Sequence, residues 1–119
     1  WDFSVLRSAK KLIHESKPFI FFEYMPELIL KYGNEDPLGI INILKDFEYY
    51  DIIIYDGWGY LYGKVDLRIE TEYLSFLKLF TKCVSNHSPY WLDFFTCHVS
   101  NRSHLENFYK KEIKRLNHS

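Results

Sequence analysis

Glu23 is the polar residue of this sequence that is best placed to do chemistry. It directly follows Phe19–Phe22, a short apolar run of aromatic and β-branched side chains. Such a run is typical of a strand buried on both faces of a parallel sheet. Ligands of open α/β sheets bind at the carboxyl ends of such strands. A carboxylate there could take a proton from a substrate hydroxyl or hold that hydroxyl in place. The alternative is that Glu23 only caps the next loop or forms a salt bridge.

Four further residues could contribute to a site at strand ends. Tyr24 follows Glu23 and could stack on a substrate or only shield the edge of the core. Tyr55 and Asp56 end a second apolar run, and His98 lies near the end of the last one. An isolated histidine is more often a structural group than a catalyst, so a direct role for His98 is one of two interpretations.

Other kinds of site are not indicated. The glycines near residue 60 lack the G-x-G-x-x-G spacing and follow a strand through a hairpin turn, which favours a structural turn. No serine or cysteine lies in a nucleophile-elbow pattern. The sequence also predicts no metal site, because two cysteines and two histidines lack ligand spacing: Cys83, His87, Cys97 and His98.

Composition predicts one domain of 119 residues, since 47% of them are hydrophobic and can form a core. Fifteen basic and sixteen acidic residues leave a net charge of −1, which gives no reason to expect nucleic acid as a partner. The apolar runs are too short to span a membrane. Two cysteines do not suggest a disulfide framework, so a reducing, cytoplasmic location is expected.

The first half of the chain reads as helix, strand, helix. An apolar stripe begins at Val5 and continues through Leu12 and Ile13 until Pro18 ends the helix. The strand formed by Phe19–Phe22 follows. Asp36 then precedes a proline at the first position of a second helix, whose broad apolar face extends to Phe47.

The second half predicts two strands, a helix, a strand and a final helix. A buried strand, Tyr50–Tyr55, precedes a glycine turn and a hairpin partner at residues 60–65. A helix over residues 70–84 and a strand over residues 90–99 lead to a capping box, Ser103–Glu106, that opens the last helix. This alternation predicts a three-layer α/β sandwich with an antiparallel component at one edge.

Much of this sequence resembles the carboxyl-terminal half of the FkbM-type methyltransferases. The resemblance lies in "WDFSVLRSAKKLIHESKPFIFFEYMPELI" and "IINILKDFEYYDIIIYD", and again in "YWLDFFTCHVSNRSHLENFYKKE" at the end of the chain. It covers most of the 119 residues and rests on pattern and order rather than on an invariant catalytic string.

The resemblance implies a partial Rossmann-like, class I methyltransferase fold with a mixed sheet and antiparallel edge strands. It also implies S-adenosylmethionine as methyl donor and a hydroxyl of a small molecule or glycan as acceptor. Trp1 would border the active site, and Glu23 and Tyr24 would lie on the substrate side of the cleft. Together with the positions at strand ends, this makes Glu23 the candidate catalytic residue. The candidate substrate-binding residues are Trp1, Tyr24, Tyr55, Asp56 and His98. The family's glycine-rich loop, ribose-binding acidic residue and Asp-x-Glu-Gly segment are not in this sequence, so no cofactor-binding residue is assigned.

Two expectations follow from the resemblance. The chain would be the acceptor-facing part of a methyltransferase domain and would be inactive alone, because methyl transfer requires donor and acceptor to be aligned. Its "FIFFEY" strand would also lack a neighbouring strand, and an exposed sheet edge of this kind could lead to self-association.

Other functional classes remain open at this point. The chain could be a non-catalytic α/β interaction module that presents Trp58, Tyr60 and Tyr62 on its hairpin to a partner, although alternating aromatic residues on a hairpin are often one packed face. A nucleotide-binding or glycosyl-transferring α/β protein would have the same layers, but the motifs of those proteins are absent from this sequence. Only fold analogy therefore supports this class.

Overall fold

The computed structural model describes residues 8–24, 39–56, 58–85 and 92–117. Helices and strands follow the predicted order: α1 (Lys10–Ser16), β1 (Ile20–Tyr24), α2 (Gly39–Asp46), β2 (Asp51–Asp56), β3 (Leu61–Asp66), α3 (Glu70–Ser85), β4 (Leu92–Cys97), a short 3₁₀ helix (Val99–Asn101) and α4 (Arg102–Asn117). Trp1 and the predicted Asp36–Pro37 helix start lie outside the described residues.

The four strands form one sheet in the order β1-β4-β2-β3, and each neighbouring pair is antiparallel. β1 and β2 therefore point in the same direction, because both pair with β4. The prediction of a mixed sheet with antiparallel edge strands is therefore wrong for the four described strands. β4 lies inside the sheet, and no described pair of neighbouring strands is parallel.

Helices cover both faces of the sheet and make three layers. Ile52 and Ile54 pack with apolar residues of α1, α2 and α3, whereas Ile53 packs with Leu105 of α4. This division follows from the alternation of side chains along a strand. Since "III" is apolar at every position, β2 can be buried on both of its faces.

The larger core is rich in aromatic rings. Tyr24 stacks on Phe94 with ring centroids 4.8 Å apart, and Phe76 of α3 packs against both rings. Tyr49 is also fully buried, and its hydroxyl donates a hydrogen bond of 2.6 Å to the Pro18 carbonyl. This bond ties the start of β1 to the segment before β2.

β1 is buried on one face only. Phe22 and Tyr24 lie in the core, but Phe21 is 62% exposed. The prediction of a strand buried on both faces of a parallel sheet is therefore wrong, because β1 is an edge strand of the described sheet and pairs antiparallel with β4. The helix stripe of α1 is also narrower than predicted, since Ile13 is buried while Leu12 is exposed.

The predicted hairpin joins β2 and β3. The Asp56 carboxylate accepts hydrogen bonds from the backbone amides of Trp58 and Tyr60, at 2.8 and 2.9 Å. Gly59 adopts a φ of +88°, which favours glycine. The register shifts between Ile54 and Tyr55, which leaves an extra residue in β3 and forms a β-bulge.

The entry to α4 differs from the predicted capping box. The His98 ring accepts a hydrogen bond from the Ser100 amide and caps the 3₁₀ helix, which continues into α4 at Arg102. Ser103 is consequently inside α4 and does not cap it. No helix in the described part of the chain combines the length and apolar character needed to cross a membrane.

Candidate functional site

The strand register brings Glu23, Asp93 and Tyr55 into one line across β1, β4 and β2, which we call the upper row. Residues directly opposite each other in antiparallel strands project from the same face of the sheet. This is the face that α4 covers, since Tyr55 packs with the residues around Leu105. Asp93 begins β4, whereas Glu23 and Tyr55 end their strands, so the upper row lies at the carboxyl ends of β1 and β2.

A groove of about 400 Å³ lies between the upper row and α4. This volume is within the range of small-molecule sites. Its lining comes from β1, β2, β4, the hairpin and α4: Phe21, Tyr55, Gly59, Asp93, Phe95, Phe108 and Glu112. The groove therefore combines aromatic walls with two carboxyl groups.

Phe95 is at the centre of the aromatic wall. Its ring centroid lies 5.2 Å from that of Phe108 in an edge-to-face arrangement and 6.4 Å from that of Phe21. Phe19 approaches the same ring at 5.8 Å. These pairs hold the rings at separations typical of favourable aromatic contacts.

The carboxyl groups of the upper row repel each other. Burial raises the pKa of Asp93, and the nearby charges of Glu23 and Asp56 raise it further. Within the described residues, no ion pair or hydrogen bond involves the carboxyl group of Glu23 or Asp93. Among the described residues, neither carboxyl group therefore has a neutralising partner.

Glu112 differs from these two acids because the protein already provides its partners. Arg115 contacts Glu112 at 3.2 Å, and the Tyr55 hydroxyl donates a hydrogen bond of 3.2 Å to it. The hydrogen bond from Arg115 lowers the pKa of Glu112. Burial, with the negative charge of Glu112, raises the pKa of Tyr55 to about 12, so its hydroxyl stays protonated and acts as a donor.

A second acidic line crosses the other end of the same sheet face. Asp51, Asp66 and Cys97 are opposite one another on β2, β3 and β4, and we call them the lower row. All three are buried. Burial and the charge of Asp51 raise the pKa of Cys97 to about 11, which keeps its thiol protonated.

Basic side chains of the protein neutralise the lower row. Arg102 lies 3.3 Å from both Asp51 and Asp66, Lys64 approaches Asp51 at 3.4 Å, and Arg68 approaches Asp66 at 3.0 Å. Burial acts to raise the pKa of Asp66, but the hydrogen bonds from Arg68 and the charges of both arginines outweigh it and lower the pKa. The lower row therefore joins α4 to the sheet.

The structure separates the predicted site residues into two groups. Glu23 and Tyr55 come together in the upper row, as expected for strand ends on one edge. Asp56 is next to them, but its carboxylate holds the hairpin turn. Tyr24 is fully buried on the opposite face of the sheet, so it shields the core rather than offering its ring to a substrate.

His98 lies at the opposite end of the sheet from Glu23, because β4 runs antiparallel to β1. The Ser100 amide donates to His98 Nδ1 at 3.0 Å, and the Ser100 hydroxyl oxygen lies 2.8 Å from the same nitrogen. Because Nδ1 accepts, the ring hydrogen is assigned to Nε2, which lies 3.1 Å from a Glu48 carboxylate oxygen. His98 therefore organises the entry to α4. The structure does not bring His98 together with Glu23 and Tyr55.

Four residues of the groove were not predicted from the sequence as site residues: Asp93, Phe95, Phe108 and Glu112. A signal for Asp93 was present, since a single acidic residue interrupts the apolar run of β4. The signal becomes specific only with the register that aligns Asp93 with Glu23. The other three are unremarkable in sequence, because aromatic and acidic residues on a final helix are common.

No group of three or more histidine, cysteine or acidic side chains in the described ranges is placed to hold a metal ion. Comparisons with protein-family models, curated proteins and solved structures gave no match to this chain. The site is therefore interpreted from its own geometry.

Proposed function

We propose that this chain is the acceptor-facing part of an S-adenosylmethionine-dependent O-methyltransferase domain of the FkbM type. The observation that carries the proposal is the position of Glu23. It ends β1 beside a groove of small-molecule size and has no cation partner among the described residues. Its acceptor would be a hydroxyl of a small molecule or glycan.

The sheet gives further support. β1 and β2 point the same way, with β4 antiparallel between them, and doubly wound sheets often carry an antiparallel strand near one edge. β1 is an edge of the described sheet, which leaves its outer side for further strands of a Rossmann-like domain. The buried free thiol of Cys97 is compatible with the reducing cytoplasm proposed as its location.

The described residues do not fit a binding site for the methyl donor. Gly59 and Gly63 lie in the β2–β3 hairpin, and neither opens a helix as a phosphate- or nucleotide-binding glycine loop does. No donor-binding role is therefore assigned to any described residue. The proposal concerns only the acceptor side of the reaction.

On that side, Glu23 would accept a hydrogen bond from the substrate hydroxyl, orient it and take up its proton. Asp93 faces Glu23 across the strand pair, so the two carboxyl groups lie on the same side of the groove. Tyr55 would keep its proton, which its hydroxyl donates to Glu112 at 3.2 Å.

The test measures transfer of a labelled methyl group from S-adenosylmethionine to hydroxyl acceptors by the protein as the cell produces it. We expect Glu23→Gln to lower the rate by about a hundredfold, the range of general-base contributions. The matched control is Glu15→Gln on α1, where the side chain is exposed. Methyl transfer that is insensitive to Glu23→Gln, or no transfer to any hydroxyl, would contradict the proposal.

A separate measurement tests the division between donor and acceptor sides. Calorimetry of the 119-residue chain with S-adenosylmethionine is expected to show no micromolar binding. Micromolar binding would remove this part of the proposal. Sedimentation of the same sample also tests self-association through the β1 edge, which is expected to give dimers or larger species.

A second candidate function is an interaction module, and the hairpin gives the observation that favours it. Trp58 and Tyr60 are 80% and 72% exposed, so the hairpin is not one packed aromatic face. Such residues are common in protein interfaces. If this is the function, replacing both with serine abolishes association with a partner, and the unaltered protein shows no methyl transfer that depends on Glu23.

A further inference from the structure

We propose that the groove beside α4 binds a small organic cation, namely an ammonium group carried on an apolar or aromatic body. As a statement about the methyl acceptor, whose hydroxyl the same body would carry, the inference rests on the proposed function and names the substrate class. As a statement about binding, it rests on the groove alone.

The aromatic wall provides the first part of the argument. Phe21, Phe95 and Phe108 form a continuous set of rings along the groove, and Phe21 is largely exposed. An exposed ring on an edge strand can contact the apolar body of a ligand. Its face can also attract a cation within about 6 Å.

The sign of the charge provides the second part. Asp93 lines the groove, and Glu23 is its cross-strand neighbour. A neutral apolar ligand would cover Asp93 without giving it a partner, which is costly for a carboxylate. An anion would be repelled by the upper row. A cation satisfies both the rings and the carboxylates.

The third part is a comparison within the molecule. Lys64, Arg68 and Arg102 contact the acids of the lower row, so this chain neutralises buried carboxylates with its own cations where they serve the fold. On the same sheet face, no described cation pairs with Glu23 or Asp93. The groove beside them has the volume for a ligand that brings the missing charge.

The size of the groove indicates a small molecule rather than a protein segment. About 400 Å³ accommodates one ring and a short chain with its ammonium group. The ammonium group would lie near Asp93, and the ring would lie against Phe95 and Phe108.

The test compares three soluble probes of similar size that differ in charge: 2-phenylethylamine, 2-phenylethanol and 3-phenylpropionate. Each is titrated into the chain at neutral pH, and binding is followed by NMR chemical shifts. We expect the amine to bind at least about tenfold more tightly than the alcohol, and the acid to bind least. Equal binding of amine and alcohol, or no binding of the amine, would overturn the proposal.

Two variants locate the effect. Asp93→Asn should weaken amine binding by about tenfold and leave alcohol binding unchanged, because only the amine uses the charge. Asp46→Asn, on an exposed position of α2, is the matched control and should change neither. If Asp93→Asn binds the amine as tightly as the unaltered chain, the proposal fails.

The probe titration contains no methyl donor, so its failure is distinguishable from failure of the proposed function. Methyl transfer that depends on Glu23, with no preference for the amine probe, would leave the methyltransferase proposal in place and remove the cationic substrate class. Amine binding without methyl transfer would leave the cation-binding proposal in place and remove the methyltransferase proposal.

Discussion

The two acidic rows on the α4 face of the sheet differ in what neutralises them. The lower row is surrounded by Lys64, Arg68 and Arg102, and the pKa of Asp66 is lowered. In the upper row no described cation pairs with Glu23 or Asp93, and the pKa of Asp93 is raised. The rows share one sheet and one covering helix, so their opposite pKa shifts arise from their neighbours.

This comparison separates structural acids from available ones. A buried carboxylate with partners from its own chain is a fixed part of the fold, since removal of a partner leaves an unpaired charge. A carboxylate held near another acid, beside a groove, is unfavourable until something outside the fold neutralises it. Perturbed acids of this second kind are candidates for function.

The largest expected effect is that of Arg102→Ala on the lower row. The substitution removes the cation between Asp51 and Asp66, and the free energy of unfolding should fall by about 2–3 kcal/mol. This fall is smaller than for a fully buried pair because the Arg102 side chain is 39% exposed. Arg102→Lys should recover only part of this loss, because one ammonium cannot replace the guanidinium fork.

Chemical denaturation measures both variants, with Arg115→Ala as the control. Arg115 pairs with Glu112 at the exposed end of α4, and its removal should leave stability close to that of the unaltered protein. Equal losses for Arg102→Ala and Arg115→Ala would mean that the lower row does not hold α4 in place.

Asp66→Asn should have the next largest effect, a loss of about 2 kcal/mol. The carboxylate accepts charge-assisted hydrogen bonds from Arg68 and Arg102 at 3.0–3.3 Å, and an amide cannot replace them. Because its pKa lies below the ordinary 3.8, the stabilisation is present above that pH and disappears as pH falls through the lowered value. A loss that is the same at pH 7 and at strongly acidic pH would contradict this assignment.

Asp93→Asn should have the smallest effect, and its sign should be opposite. The free energy of unfolding should rise by less than about 1 kcal/mol at pH 7. The substitution removes a charge that burial, Glu23 and Asp56 disfavour. Thermal unfolding of the ligand-free chain measures the gain. A clear loss of stability would show that a cation already pairs with this carboxylate.

The gain from Asp93→Asn should also depend on pH. Because the folded-state pKa is raised, ionised Asp93 destabilises the fold above that pKa, and the penalty fades as pH falls toward the ordinary value of 3.8. The advantage of the variant should therefore shrink on acidification. An advantage that grows toward low pH would reverse the sign and contradict the raised pKa.

The order of elements could be predicted because its signals are local. Apolar runs such as Ile52–Tyr55, the Asp56 turn and the helical spacing over residues 70–84 depend on a few neighbouring residues, and the structure confirms the strand, the turn and the helix. The burial of β1 could not be predicted, since an apolar run looks the same on an edge strand as on a central one.

The candidate site was only partly accessible from the sequence, for a related reason. Glu23 and Tyr55 were identifiable because each ends an apolar strand. Asp93 could be identified only from the strand register. The distance of His98 from Glu23 depends on the direction of β4, which strand-end reasoning cannot supply. The cations that distinguish the two rows come from distant segments, so the sequence could not show which acids are neutralised.

One measurement tests the central claim most directly: an NMR pH titration that follows the side-chain carboxyl carbons of Asp66 and Asp93 in the same ligand-free sample. The account predicts that Asp66 titrates below 3.8 and Asp93 above it. Coincident titrations, or the reverse order, would show that the two rows are neutralised alike and would contradict the account.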